Sequence, residues 1–121
     1  MNIALDYDGT ASADPVIFKS IVKLLRGAGH KVYIVTMRFD SECFELQQTW
    51  GPLVDGIIPT ARQAKRPVTD AAGIPIHVWI DDNPEAVTMS ALQIWGSSSQ
   101  EGTVVVVDHD KGTKTEEKIT P

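Results

Sequence analysis

Cysteine, aromatic side chains and basic charge are all scarce in this 121-residue chain. The lone thiol, Cys43, excludes an internal disulfide and suits a reducing compartment. Glu42 and Glu45 disfavour its thiolate, so a packing or surface cysteine is expected rather than a reactive one. Eleven Lys and Arg against sixteen Asp and Glu leave a net charge of −5, which argues against a surface holding long nucleic acids by phosphate neutralisation. The end of a strand needs only a few contacts and stays open as a partner. No apolar run approaches the roughly 20 residues of a membrane span, and no basic leader precedes the first apolar run, so a cytoplasmic protein without a membrane partner is expected. His30, His77 and His109 show no metal-ligand spacing.

What the chain does have is paired acids at the ends of apolar runs. Ile3-Ala4-Leu5 leads into Asp6-Tyr7-Asp8-Gly9-Thr10, which aims two carboxylates and a backbone carbonyl at one small volume where a cation and a phosphate can sit. A second run, Ile76-His77-Val78-Trp79-Ile80, ends in Asp81-Asp82-Asn83-Pro84. Four carboxylates in one cleft repel unless a divalent cation or a proton offsets them, and hard oxygen ligands suit Mg²⁺. Between the pairs lie Val32-Tyr33-Ile34-Val35-Thr36, ending in a hydroxyl, and the basic segment Arg62-Gln63-Ala64-Lys65-Arg66.

Periodicity places these motifs. Asp14 and Pro15 read as the cap and first residue of a helix carrying Val16, Ile17, Ile21, Leu24, Leu25 and Ala28, with Gly29 as its stop. A strand comes next at 32–35, then a helix capped by Asp40 or Ser41 with Phe44, Leu46 and Trp50 apolar. A strand at 54–58, one or two helical turns at 67–72, a strand at 76–80, a helix at 84–95, a 96–99 loop and a strand at 103–107 complete the expectation. Trp50, Trp79 and Trp95 are expected in the core. The alternation favours an α/β fold with a central parallel sheet covered on both faces, whose ligands bind beyond the carboxyl ends of the strands. One domain over residues 1–110 is expected, with 111–121 a polar tail or frayed edge.

In order, strand–DxDGT, strand–Thr, Lys and strand–DD resemble the four motifs of the haloacid dehalogenase (HAD) superfamily of phosphohydrolases, from Asp6 to Asp82. The resemblance implies a three-layer Rossmann-like (HAD-like) fold and a Mg²⁺-dependent phosphatase. Asp6 would be the nucleophile that carries an aspartyl-phosphate, and Asp8 the general acid and base, its carbonyl also a metal ligand. Gly9 would let the chain approach the phosphate, and Thr10 would orient Asp8 or cap the segment after it. Thr36 and the backbone N–H groups around Met37 would bind phosphoryl oxygens, and Arg38 would touch the rest of the substrate. Lys65 would offset the negative charge, although Arg66 and Arg62 compete for that part. The metal ligands implied are Asp6, Asp8, Asp82 and Asp81, with Asp82 direct and Asp81 on Lys65 or a metal-bound water; the reverse division is also open.

Capped members of that superfamily carry an inserted lid, whereas here residues 11–13 are a mere turn and the interval from Thr36 to Lys65 is filled by one helix and one strand. A capless site implies a macromolecular phosphorylated substrate or a homo-oligomer whose neighbour closes the site. The substrate itself is not legible. Two other classes compete: a receiver-like signalling module and a partner-binding protein that retains the acidic metal site. A receiver places its phospho-acceptor on a middle strand, which here, at Ile57-Ile58, ends without an Asp.

Overall fold

Branched and apolar runs become strands, and capped, spaced ones become helices. The computed structural model describes residues 1–95 and the strands at 104–110 and 113–118. In chain order these are β1 (Asn2–Leu5), α1 (Pro15–Gly27), β2 (Lys31–Thr36), α2 (Phe44–Thr49), β3 (Gly56–Pro59), α3 (Lys65–Ala71), β4 (Val78–Asp81), α4 (Ala91–Trp95), β5 (Val104–Asp110) and β6 (Thr113–Lys118). The fold is α/β. Strands β1 to β4 are mutually parallel within a sheet ordered β3-β2-β1-β4-β5-β6, and β5 and β6 join antiparallel at one side.

Side chains alternate across this sheet, as the two-residue period of a strand dictates. Ile3, Leu5, Val32 and Ile34 pack with Val22 of α1, Leu46 of α2 and Trp50 in one apolar cluster. Ala4, Val35 and Trp79 join Ile76 and Val87 in a second. The strands therefore bury residues on both faces, which is why their sequences are almost continuously apolar.

The order of strands also fixes where a ligand can enter. From β1 the chain steps outward to β2 and β3, then returns to place β4 on the other side of β1. That reversal opens a crevice at the carboxyl ends of β1 and β4. Leu5 pairs with Ile80, so the next residues, Asp6 and Asp81, leave adjacent strands at the same level. Among the described residues, only a turn separates β1 from α1, and only a 3₁₀ turn and α2 intervene between β2 and β3.

Several expectations shift. Asp14 does cap α1, accepting from the Ile17 N–H at 3.2 Å, but the buried face runs through Val22 while Val16, Ile17 and Leu24 face solvent. Phe44 is exposed, and Trp95 is 80 % exposed rather than in the core. The helix expected over 84–95 divides into a 3₁₀ turn, Pro84–Val87, and α4. Ser90 and Gln93 explain the break: the Gln93 N–H donates to Ser90 Oγ at 3.3 Å and the Ser90 N–H donates to Gln93 Oε1 at 2.8 Å, a reciprocal cap that starts a new helix. β5 begins at Val104 and runs antiparallel to β4, so the sheet is parallel only in its first four strands. Part of the stretch expected as a tail or frayed edge is β6, and the loop expected at 96–99 lies outside the described residues. No helix among the described residues is long and apolar enough to cross a membrane.

Candidate functional site

The crevice between β1 and β4 is lined with charge. Asp6 follows β1, its N–H donating to the Ile80 carbonyl at 2.9 Å, so the sheet ladder itself sets the direction of its side chain. Asp81 ends β4, and Lys65 opens α3 across from both. The Lys65 ammonium donates to Asp6 Oδ1 at 2.7 Å and to Asp81 Oδ2 at 2.6 Å. All three side chains are almost fully buried.

Thr10 ties in the fourth group. Its hydroxyl lies 3.1 Å from Asp6 Oδ2 and 3.2 Å from Asp82 Oδ1, and it accepts the Asp82 N–H at 3.1 Å. The turn Tyr7–Ala11 delivers that hydroxyl by folding back so that the Ala11 N–H reaches the Asp6 carbonyl at 3.2 Å. Gly9 makes the turn passable. Its φ of +82° is in the left-handed region, and a Cβ there would fall onto Asp82 Oδ2. Asp81 is steadied in turn by the Asn83 N–H, 2.9 Å from its Oδ1.

Burial dominates the electrostatics. Removal from water pushes Asp6 up to about 8; Lys65 opposes the shift, and the charge of Asp81 and a hydrogen bond with Asp82 add to it. Asp81 is likewise raised by burial, against the pull of Lys65 and the Asn83 N–H. For Lys65 burial acts downward, yet the two carboxylates outweigh it and hold the ammonium above its ordinary value. Asp6, Asp81 and Asp82 each offer an oxygen within 4.8 Å of the others, a spacing that can hold a metal ion. Counted as ionised, three carboxylates and one ammonium leave two uncompensated negative charges, matching one divalent cation in charge. Asn83 Oδ1 is buried and accepts no hydrogen bond, one more oxygen beside the same strand end.

Two further residues expected at this centre are bonded to Arg38. Asp8 lies outside the three-aspartate cluster, its side chain turned to Arg38, which donates from Nε to Oδ2 at 2.9 Å and from Nη2 to Oδ1 at 2.8 Å. These bonds hold the Asp8 carboxyl below the usual range. Thr10 accordingly bonds Asp6 and Asp82, where the sequence pointed to Asp8 or a cap. Thr36 is buried at the end of β2, and its hydroxyl accepts the Arg38 N–H at 3.3 Å. Of the three basic candidates Lys65 binds Asp6 and Asp81, while Arg66 Nε lies 3.8 Å from Asp70 and Arg62 is paired with Glu42 at 3.3 Å. Cys43 is buried, with its thiol 3.5 Å from the Phe39 carbonyl and raised by burial, in keeping with packing.

A further structure escapes sequence reasoning. Beyond β2 and β3 the chain stays zipped: the Thr60 N–H donates to Thr36 O at 2.8 Å, Ala61 to Arg38 O at 3.1 Å and Arg62 to Met37 O at 2.8 Å. The Met37 carbonyl accepts Arg62 Nη1 as well, at 2.9 Å. Ala61 and Arg62 both adopt positive φ, 53° and 68°, a left-handed pair costing about 1–2 kcal/mol per residue. The ledge so formed carries Arg62 over the Phe39 ring at 5.0 Å and Arg38 over the Tyr7 ring at 5.1 Å. The only signal in the sequence was the proximity of Arg38 and Phe39 to Thr36.

No family model, curated protein or solved structure matches the chain.

Proposed function

We propose that this protein is a phosphomonoester hydrolase of the capless, three-layer HAD-like type, acting through an aspartyl-phosphate at Asp6. The observation that carries the reading is the Lys65 ammonium bound at once to Asp6 and Asp81, with Asp82 joined to Asp6 through Thr10. Motif positions spread from residue 6 to residue 82 thus meet in one crevice. A purely structural role for so costly a buried cluster is disfavoured, because an apolar group would fill the same space without the desolvation penalty.

Asp6, Asp81 and Asp82 would hold Mg²⁺, which would supply charge neutralisation for the carboxylates and for phosphoryl oxygens. An Asp6 oxygen attacks phosphorus, the phosphorus–oxygen ester bond breaks, and Asp8 hands a proton to the departing oxygen. Water then attacks the phosphoryl group on Asp6, gives its proton to Asp8 and releases phosphate. Asp8 begins this cycle ionised and paired with Arg38, so that pair opens and the carboxylate is protonated before the ester is cleaved. Lys65 keeps Asp6 and Asp81 oriented throughout and lowers the repulsion met by the incoming dianion.

The test is Asp6→Asn. With Mg²⁺ present, turnover of an aryl phosphate is expected to fall by about 10³-fold or more. Equal turnover by the variant and the parent would overturn the reading. Stable labelling of the parent by a small phosphodonor, without turnover of esters, would point instead to a receiver-like module.

A further inference from the structure

We propose that Phe39 and Arg62 form a stacking subsite for a planar ring on the leaving group, so that nucleoside monophosphates and related ring-bearing phosphomonoesters are the preferred substrate class. The inference rests on the hydrolase reading for the identity of the site and adds the direction in which the leaving group departs.

That direction follows from Asp8. The residue that protonates the departing oxygen lies on the leaving-group side of the phosphorus, and Asp8, which at rest is bidentate to Arg38 on the ledge beyond β2, leaves that pair by side-chain rotation while its backbone stays in the turn beside the ledge. Phe39 is the next residue along, 45 % exposed, with the Arg62 guanidinium over its ring at 5.0 Å. One face of the phenyl ring is therefore covered by a cation, and the exposed remainder is the surface a second ring can meet. Arg62 is itself held in place, by the Met37 carbonyl at 2.9 Å and by Glu42 at 3.3 Å. Its charge is thereby spent within the protein, which makes it a backing for the ring rather than a second phosphate ligand.

Rigidity separates this platform from an ordinary surface contact. The backbone on both sides is zipped by three hydrogen bonds beyond the ends of the strands, and Phe39 is further pinned by its N–H, which donates to Glu42 Oε1 at 2.8 Å. Two consecutive left-handed residues without glycine, Ala61 and Arg62, form the turn from which the guanidinium reaches the Met37 carbonyl. An aromatic ring exposed on a fixed ledge beside a crevice gives up little freedom on binding, the condition under which stacking contributes most.

The experiment compares adenosine monophosphate with glycerol phosphate, one carrying a ring and one not. The parent protein is expected to favour the former in kcat/KM, and Phe39→Ala to lower the ratio of the two values by about tenfold. Phe39→Trp, which keeps a ring, is expected to restore the ratio. A ratio unchanged by Phe39→Ala, or unrestored by tryptophan, would overturn the proposal. A second readout needs no turnover: binding of adenosine monophosphate to Asp6→Asn protein, titrated calorimetrically with and without Phe39→Ala. Binding weakened about tenfold by loss of the ring supports the platform even where neither ester is cleaved, an outcome in which the hydrolase reading alone fails. Binding indifferent to Phe39 rejects the platform whatever the kinetics show.

Discussion

Lys65 holds two buried carboxylates through one ammonium that is itself 2 % exposed, so neither it nor they can turn to water if a partner is lost. Truncating one member of such a group strands the others, at about 3–5 kcal/mol. Lys65→Met is therefore expected to lower unfolding free energy by that order in urea titrations, and Lys65→Met with Asp81→Asn to recover part of it, because one of the stranded charges is gone. A single variant as stable as the parent would show that the cluster is neutral or hydrated. Gly9 is a different kind of requirement. Its left-handed φ and the closeness of Asp82 both forbid a Cβ, so Gly9→Ala disturbs the position of Asp82 as well as the turn.

The ledge built by residues 36–39 and 60–62 shows what one element can store. Ala61, at φ 53°, is an alanine where glycine would be unstrained. Ala61→Gly removes the left-handed cost of about 1–2 kcal/mol but adds freedom to the unfolded chain worth about 0.4–1 kcal/mol, leaving a net stabilisation between zero and about 1.6 kcal/mol. Urea melts of the variant and the parent give the sign directly; clear destabilisation would mean that the Cβ of Ala61 packs usefully. Elements of this kind were not legible in the sequence, whereas others were. β1, β2 and β4 were readable because branched apolar residues run unbroken on a strand buried on both faces, and the start of α1 because Asp14-Pro15 is a local cap. The inward face of α1 was ambiguous, since apolar residues occur at most angular positions along it. The antiparallel direction of β5 was hidden because a run of valines reads the same either way. The same division holds in the site: Asp6, Lys65, Asp81 and Asp82 sit at strand or helix ends and were named, but the Arg38–Asp8 pair and the Phe39–Arg62 stack depend on how two loops meet.

Across the whole molecule the acidic crevice and the acidic balance of the chain act in the same direction on stability. Asp6 has an ordinary carboxyl value of 3.8 when unfolded and about 8 when folded without a cation, so between those limits the folded chain keeps a proton that the unfolded chain has lost. Raising pH through that window therefore favours unfolding, by at most about 1.4 kcal/mol per pH unit for one group. Asp8 works the opposite way, its folded value lying below 3.8, but its contribution is already complete above the unfolded value and is constant from about pH 5 to 8. The cation-free protein is expected to lose stability steadily from about pH 5 to pH 8 in urea titrations with chelator present, and Asp6→Asn to flatten that slope. Magnesium should reverse the trend, since an ion drawn to ionised carboxylates stabilises most where the protons have left. A Mg²⁺-induced rise in stability that is larger at about pH 8 than at about pH 5 in the parent, and small at both in Asp6→Asn, would tie the cation to this crevice. A slope shared equally by parent and variant would instead assign the pH dependence to the other buried acid, Asp81.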